Sequence, residues 1–384
     1  MSALFSKALS AVSICSGCLL IVVLVGFWMG YQAKQRATMM RSYPFINNDR
    51  CLEKVRGLPE PREGFAFAVV GDIQREANKL SIIVDSLKNG PPVSFIIQTG
   101  DAVAHADSGH YRLFLNELAR CRLSVPLFIV PGNHDVKNDH ENLFGTYFGA
   151  RKYWFEYGNA LFIVVDTSRG GWDDEKSDWL RKVLQSRRAG NRHAFLFMHQ
   201  LPLERGTREN RIEYSDARLG KLIEEYNINY VFSGHWHEYL HEARHGTTFV
   251  INGEDDDFNT RKAGAPFCYN LIQVGNATIG ERREDLQPRY AMLIVSELED
   301  MFIAHLGDYL MRKPWIGLGM ALFSALGVAF PLIARFKLGS AARQKAVQKR
   351  MARLQYALPA SDGTGHDLTG SYLAAGNRRL MLDQ

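Results

Sequence analysis

Short apolar runs alternate with stretches of helical spacing in the first half of the chain. Three runs have the length of a strand, and glycine and a polar side chain follow each of them closely: 65–70, 94–98 and 125–130. In 76–89, apolar residues recur every three or four positions, which is the period of an amphipathic helix. This alternation predicts an α/β fold with a central sheet.

The pattern changes after residue 150. Two apolar segments flank Gly158-Asn159, a pair that strongly favours a β-hairpin. Helical spacing returns at 174–188 and 216–227, and 296–312 also predicts a helix. Further strands are predicted at five positions: 193–198, 230–233, 247–251, 268–274 and 290–295.

Two longer apolar runs lie near the ends of the chain. No charged residue occurs between Lys7 and Lys34, or between Lys313 and Arg335. Each run is long enough for a helix to cross a bilayer core, which needs about 20 residues. The first is too long for the apolar core of a signal peptide and lacks a small-residue cleavage site. The second is apolar on all sides and a basic segment follows it, so both are predicted to be transmembrane helices.

Charge predicts an orientation for these helices. Residues 335–353 hold seven basic and no acidic side chains, which marks this side as cytoplasmic and could bring the segment to anionic headgroups. Two spans return the chain to the same side. We therefore expect a two-pass membrane protein with a cytoplasmic C-terminal tail and residues 34–312 on the non-cytoplasmic side. Lys34, Arg36 and Arg41 weigh against this orientation.

Composition excludes several classes of protein. With 384 residues, 46% hydrophobic residues and 33 glycines, the chain is neither disordered nor collagen-like. The whole chain carries +5 and the basic segment 335–353 carries +7, so the remainder carries −2. Nucleic acid is therefore not an expected partner. Cys51, Cys121 and Cys268 lack metal-ligand spacing and allow at most one disulfide.

Five predicted strands end in residues that can bind metal ions. In chain order these are Asp72-Ile-Gln74, Gly100-Asp101, Gly132-Asn-His-Asp135, His199 and Gly234-His-Trp-His237. One such ending is usually a turn or a surface residue. Five in succession would bring many carboxylates and imidazoles together. In open α/β sheets, sites form at the carboxyl ends of strands, and a cation is needed to neutralise such a cluster. The pattern predicts a metal centre.

These blocks resemble the calcineurin-like metallophosphoesterase family over about 65–255. The family pattern is Asp-x-His, Gly-Asp, Gly-Asn-His-Asp/Glu, His and Gly-His-x-His. The resemblance implies an α/β fold with a two-sheet β-sandwich flanked by helices, and two divalent metal ions. It implies that one ion is held by Asp72, Gln74, Asp101 and His237. Asp101 would bridge to the second, held with Asn133, His199 and His235. Asp135 would orient His134, which approaches the leaving group.

Two positions depart from the family pattern. Gln74 stands where the family usually has His, as in some relatives that hydrolyse nucleotide or alcohol diphosphates. An amide oxygen can still bind a cation, but the first ion should be held differently and more weakly. The second block continues as Ala-Val-Ala, without the family's frequent Asp or Arg. That supporting role is lost or moved to His105 or Asp107, unless these two only form a surface loop.

The resemblance and the apolar runs together divide the chain into five segments. These are an N-terminal transmembrane anchor (1–33), a linker (34–63), a metallophosphoesterase domain (64–312), a second transmembrane helix (313–335), and a basic then flexible tail (336–384).

The predicted chemistry is metal-dependent hydrolysis of a phosphate ester. Two cations about 3.5–4 Å apart can bridge a hydroxide that attacks phosphorus, while His134 donates a proton to the leaving oxygen. Mixed nitrogen and oxygen ligands suit Mn²⁺, Fe or Zn²⁺. We predict a membrane-tethered dinuclear phosphohydrolase that cleaves a phosphoester or pyrophosphate bond in a lipid-linked, nucleotide-type or other small phosphorylated substrate. The alternative is a catalytically silent membrane scaffold of the same fold, but every metal position keeps a ligand-capable side chain.

Overall fold

The computed structural model describes residues 3–74, 79–205, 212–214, 216–237, 239–252, 267–286 and 290–356. The chain forms two compact units, Leu20–Ala321 and a smaller one made by Met1–Leu19 with Leu322–Gln384. The predicted flexible tail beyond residue 357 lies outside the described residues.

Thirteen strands are described. They are β1 (Phe65–Val70), β2 (Ile96–Gln98), β3 (Leu127–Ile129), β4 (Tyr153–Tyr157), β5 (Ala160–Val164), β6 (His193–Phe197), β7 (Leu203–Arg205), β8 (Ile212–Tyr214), β9 (Tyr230–Ser233), β10 (Tyr239–Arg244), β11 (Thr247–Asn252), β12 (Phe267–Val274) and β13 (Ile279–Leu286).

The strands form two mixed sheets and a short ribbon. The first sheet has the order β13-β12-β1-β2-β3, the second has the order β10-β11-β9-β6-β5-β4, and β7 pairs with β8. β1, β2 and β3 are parallel to one another, as are β5, β6, β9 and β11. The hairpin predicted at Gly158-Asn159 joins β4 to β5, with Gly158 at a φ of 57°.

Helices flank the sheets. They are α1 (Ala3–Met40), α2 (Asn48–Arg56), α3 (Lys79–Lys88), α4 (Ser108–Cys121), α5 (Asn133–Val136), α6 (Leu143–Phe148), α7 (Asp174–Arg187), α8 (Ala217–Glu225), α9 (Tyr290–Glu299), α10 (Asp308–Arg312) and α11 (Pro314–Tyr356). A 3₁₀ turn covers Arg188–Gly190 and a π-helical segment covers Asp300–Gly307. The predicted two-sheet sandwich flanked by helices is confirmed.

Aromatic side chains fill the space between the two sheets. Phe67 and Phe95 lie on the side of the first sheet, and their rings are 5.2 Å and 5.1 Å from the ring of Phe162 on β5. Phe195 on β6 lies 5.1 Å from the same ring. All four side chains are fully buried. Because Phe162 joins both sheets, it is central to the stability of the sandwich.

Phe162→Ala should lower the free energy of unfolding by about 3–5 kcal/mol, because it removes buried apolar surface and leaves a cavity between the sheets. Thermal and denaturant unfolding of the full chain in detergent measures this loss. Phe162→Leu keeps more of the volume and serves as the control, with a smaller loss expected. Equal stability of the Ala variant and the unchanged chain would contradict this account of the core.

The prediction that residues 34–63 form a linker is wrong for much of this stretch. α1 continues to Met40, and Ala37, Met40 and Ile46 are buried in the core. Asn48 begins α2, and its amide donates to the carbonyl oxygens of Ile129 and Ala150 at 2.9 Å and 2.8 Å. The polar composition and the prolines concealed a short amphipathic helix that packs on the domain.

The strand predicted at 290–295 is also wrong, because this run lies in α9. A short apolar run fits a buried strand and a buried helix equally well by periodicity. The helix expected at 296–312 is present, and it contains the π-helical segment. Cys51, Cys121 and Cys268 are all buried, and no disulfide joins any two of them.

Two helices are long and apolar enough to cross a membrane. The qualifying segments are Lys7–Met40 within α1 and Pro314–Ala334 at the start of α11. Large apolar side chains on both are exposed, including Trp28 at 62% and Phe323 at 73%. These observations agree with the predicted spans by length and composition.

Candidate metal centre

The metal-capable residues lie at the carboxyl ends of five strands, three in the first sheet and two in the second. Asp72 and Gln74 follow β1, Asp101 follows β2, and Asn133 follows β3. In the second sheet, His199 follows β6, while His235 and His237 follow β9. Parallel strands of one sheet end at the same edge, and residues from the edges of both sheets share the ligand-capable groups, so the fold brings together residues that are far apart in the chain.

The ligand-capable atoms fall into two groups that share one carboxylate. One group is Asp72, Asp101 and His237, and the other is Asp101, His199 and His235. Within each group the candidate ligand atoms lie within 4.8 Å of one another. Gln74 and Asn133 border one group each: Gln74 Nε2 lies 3.4 Å from His237 Nε2, and Asn133 Oδ1 lies 2.9 Å from His199 Nε2. All seven predicted ligands are therefore brought together.

The backbone around the site is sharply bent. Asp101, His235 and His237 have φ values of 57°, 73° and 50°, in the left-handed region that side chains other than glycine seldom adopt. Gly234 permits a close approach, since a Cβ there would lie 2.9 Å from Asp72 Oδ2. Strained conformations of this kind persist only where the surrounding structure enforces them, and they cluster at functional sites.

Hydrogen bonds fix the orientation of His199. Its Nδ1 donates to the carbonyl oxygen of Thr99 at 3.0 Å. This leaves Nε2 facing the site, 3.2 Å from Asp101 Oδ2. A backbone carbonyl that holds the remote ring nitrogen is the usual support of a metal-binding histidine.

The electrostatics of the site favour positive charge. Asp72, Asp101 and His199 are fully buried. Burial alone would lower the pKa of His199, but Asp101 and Asp72 raise it to about 9. Burial would raise the pKa of Asp101, but the hydrogen bond and charge of His199 hold it below its usual value. The carboxylates therefore attract a cation.

The residues present fit a dinuclear centre. Gln74 Oε1 is buried and accepts no hydrogen bond from the described residues, so a cation would satisfy it. The donors are carboxylate and amide oxygens with imidazole nitrogens, which suits Mn²⁺, Fe or Zn²⁺. Asp101 belongs to both ligand groups, which is the arrangement that a bridging carboxylate requires.

Asp135 does not hold the His134 ring, which corrects the expected role. Its carboxylate accepts backbone N–H bonds from Asp101, Val103 and Gly132 at 2.9, 3.0 and 2.8 Å. Burial and the nearby Asp101 charge raise the pKa of Asp135 to about 7. Asp135 therefore organises the loop that carries Asp101. His134 and Asp135 are adjacent on the first turn of α5, so their side chains point in different directions.

The carbonyl oxygen of Ala104 holds His134 instead. His134 Nδ1 donates to it at 2.7 Å, and the backbone N–H of His134 donates to Asp101 Oδ1 at 2.8 Å. This contact could not be predicted from the sequence, because the acceptor is a backbone atom. With Nδ1 engaged, Nε2 is the ring atom left for proton transfer.

His105 and Asp107 take different places. His105 is exposed, as a surface-loop residue would be, but its ring centroid lies 6.3 Å from that of His134. Asp107 caps α4, where its carboxylate accepts from the backbone N–H groups of Gly109 and His110. The loop therefore supports α4 as well as bordering the metal centre.

Two of the cavities that border the metal centre lie beside its amide ligands, Gln74 and Asn133. A cavity of about 320 Å³ is lined by Gln74 together with Val103, His105, Leu113 and Phe114 among others. A second, of about 530 Å³, is lined by Asn133 with Lys137, His140, Arg169 and Gln200 among others. Sequence reasoning missed Arg169 and Gln200. Adjacency to His199 could have indicated Gln200, whose amide donates to Asn133 Oδ1 at 3.3 Å.

Comparison with known proteins identifies this part of the chain. Residues 65–239 match the family model described as calcineurin-like phosphoesterase. The match contains every predicted metal ligand. The chain thus contains a calcineurin-like phosphoesterase domain, a domain class that uses a dinuclear divalent metal centre.

Two curated relatives are similar over this domain. A "Probable glycerophosphodiester phosphodiesterase GpdQ" from Arcobacter nitrofigilis is 26% identical over 185 residues, which are 43% of this chain and 64% of that protein. A "Probable cyclic nucleotide phosphodiesterase" from Colwellia psychrerythraea is 25% identical over 169 residues, 41% of this chain and 61% of that protein. The chain therefore spans less than two thirds of each relative.

A solved structure is also similar. It is a dimetal phosphatase from Danio rerio, with 14% identity and a TM-score of 0.46 over 59% of this chain and 99% of that chain. A likeness of this size supports no conclusion about function.

Proposed function

We propose that the chain is a membrane-tethered, dinuclear-metal phosphodiesterase. The observation that carries this proposal is that Asp101 belongs to both groups of metal-ligating side chains, so two cations can share one carboxylate. The family match and the names of the two relatives support a phosphate ester as the substrate.

The side chains have separate roles in the proposed reaction. Two bound cations would supply Lewis acidity and an activated water. Asp101 would fix their separation, and Asp135 would hold the Asp101 loop through its three backbone contacts. His134, oriented by Ala104, would donate a proton from Nε2 to the leaving oxygen.

The two cavities favour a substrate with two substituents on phosphorus. The cavity beside Gln74 is lined by apolar side chains such as Leu113 and Phe114 together with imidazole and carboxylate side chains, and no Lys or Arg among the described residues lines it. The cavity beside Asn133 presents the cationic side chains Lys137 and Arg169. A diester can place an apolar or neutral group in the first and a polar or anionic group in the second, whereas a monoester fills only one.

A substrate panel tests this proposal. The full chain, purified in detergent with Mn²⁺, is assayed with a glycerophosphodiester, a cyclic nucleotide, a phospholipid diester in mixed micelles, a monoester and a nucleotide diphosphate ester. We expect turnover of at least one diester that exceeds turnover of the monoester, and loss of that turnover with EDTA. Faster cleavage of the monoester or the diphosphate would contradict the diester assignment. Metal binding without turnover of any substrate would support a silent scaffold.

Gln74→Ala should weaken one metal position while leaving the other intact, because Gln74 borders only the group that contains His237. Equilibrium dialysis with Mn²⁺ should show one site of unchanged affinity and one that is weakened by about ten-fold or more. Gln74→His restores a strong ligand and is the matched variant. Equal weakening of both positions by Gln74→Ala would contradict the assignment.

We propose that the domain lies on the non-cytoplasmic side of the membrane and the basic segment 335–353 on the cytoplasmic side. The apolar segments within α1 and α11 and the charge of the basic segment support this topology. Reporter fusions at residue 280 and at residue 360 should therefore give opposite signals. The same signal from both fusions would mean that one of the two segments does not span.

A further inference from the structure

A second group of metal-capable side chains lies outside the strand-end site. It consists of His110 on α4 with Asp300 and His305 on the π-helical segment, and their candidate ligand atoms lie within 4.8 Å of one another. His305 Nε2 lies 3.3 Å from Asp300 Oδ2, and His110 Nε2 lies 3.8 Å from Asp300 Oδ1. Ligands about 2.0–2.2 Å from a tetrahedral ion lie roughly 3.3–3.6 Å from one another. The distances from each histidine to the Asp300 carboxylate are therefore close to those that such an ion requires.

The π-helical segment brings two of these residues onto one face. Asp300 and His305 are five positions apart. In an α-helix of 3.6 residues per turn, residues five apart diverge by about 140°. The i→i+5 bonding of a π-helix places them nearly one above the other. Since π-helical turns are rare and frequently occur at functional sites, this local geometry points to a shared ligand.

Asp107 supports His110 as a metal ligand. Its Oδ2 lies 2.9 Å from His110 Nδ1, so that nitrogen donates to the carboxylate and Nε2 faces Asp300 and His305. Asp107 is itself fixed by the backbone N–H groups of Gly109 and His110. A carboxylate that orients the remote nitrogen of a histidine is the usual outer support of a metal ligand.

Contacts on both sides hold the π-helical segment against α4. Arg120 Nη2 donates to Glu299 Oε2 at 2.9 Å just before the segment, and Arg112 pairs with Asp308 just after it. On its other side, Gly30 of α1 approaches Gly307 so closely that a Cβ on Gly30 would lie 2.7 Å from Gly307 Cα. The ligands on the two elements are therefore held in place before any ion binds.

The cluster also lines the cavity that borders Gln74. His110, Asp300 and His305 all contribute to this space of about 320 Å³. His105 lies between the two sites, with its ring centroid 4.7 Å from that of His110 and 6.3 Å from that of His134. An ion held by three side chains would keep a coordination position for water or substrate on the cavity side.

We propose that His110, Asp300 and His305 form a third metal site, separate from the dinuclear centre, that binds Zn²⁺. Two imidazoles and one carboxylate are a known zinc ligand set, and a water or substrate oxygen would complete the coordination. The ion would fasten the segment Asp300–Gly307 to α4 and form one wall of the cavity.

Zinc binding to paired variants tests this site. His305→Ala removes a ligand whose side chain is 62% exposed, so it should leave the fold intact. Equilibrium dialysis of the full chain in detergent should show one fewer Zn²⁺ per chain in this variant. The same loss of one Zn²⁺ should appear when His305→Ala is added to Asp101→Asn, a background in which the dinuclear centre is already damaged. Asp107→Asn, which keeps the helix cap, should lower the affinity of this site for Zn²⁺ by about 10–100-fold.

His245→Ala is the matched control, because His245 also pairs with a carboxylate, Glu224, but away from this cluster. It should leave zinc content unchanged. Equal zinc content in His305→Ala and its parent in either background, or an equal loss in His245→Ala, would overturn the third site. Failure of the phosphodiesterase proposal would be seen separately, as absent Mn²⁺-dependent turnover in a chain that still binds this zinc.

Discussion

Asp101→Asn should remove both ions of the dinuclear centre and lower phosphodiester turnover by about 10³-fold or more. Asp101 is the one carboxylate common to both ligand groups, and it is fully buried. The neutral amide keeps the shape but loses the charge that would bind and bridge the cations. Metal ions stabilise the transition state by several kcal/mol. Each loss of about 1.36 kcal/mol lowers the rate ten-fold.

Metal analysis by mass spectrometry and kcat measurements on the same preparation check this prediction. Asp173→Asn is the control, because it makes the same carboxylate-to-amide change outside the site, where Asp173 caps the start of α7. It should leave metal content and turnover unchanged. Two tightly held Mn²⁺ ions in Asp101→Asn would show that the ions do not share this carboxylate.

His134→Ala should lower kcat by about 10²–10⁴-fold while metal content stays intact. The structure places His134 beside the metal ligands, with its backbone N–H on Asp101 Oδ1 and its Nδ1 on the Ala104 carbonyl. Its ring belongs to neither of the two ligand groups. The expected loss therefore comes from the missing proton donor.

The leaving group distinguishes proton donation from other roles. A nitrophenyl diester releases an oxygen that needs no proton, so His134→Ala should lose less turnover with it than with an alkyl diester. An equal loss with both would indicate electrostatic contact with the transition state. Loss of metal from the variant would make His134 a ligand and contradict the proposed role.

The sequence predicted the site better than the surroundings of the site. Each metal-capable residue follows a strand of clear apolar pattern, so chain order and spacing were enough to place Asp72, Asp101 and His199 at the carboxyl ends of strands. The role given to Asp135 was wrong, because adjacency to His134 in sequence does not fix which way a side chain points. The contact that does hold His134 comes from a backbone carbonyl, which every residue carries.

Packing of helices was less predictable. The stretch 34–63 reads as polar, yet Asn48 and Cys51 are fully buried because α2 packs through a narrow face. The run 290–295 has strand-like composition but is helical, because tertiary contacts rather than composition determine its secondary structure. The cluster of His110, Asp300 and His305 depends on a π-helical turn and on residues about 190 positions apart, so no spacing rule indicated it.

The electron paramagnetic resonance spectrum of the Mn²⁺-loaded full chain tests the central claim most directly. Two Mn²⁺ ions that share the Asp101 carboxylate are magnetically coupled, and their spectrum shows more closely spaced hyperfine lines than an isolated ion gives. We predict this coupled spectrum in the unchanged chain and its absence in Asp101→Asn. A spectrum of isolated Mn²⁺ ions at full turnover would contradict the dinuclear centre.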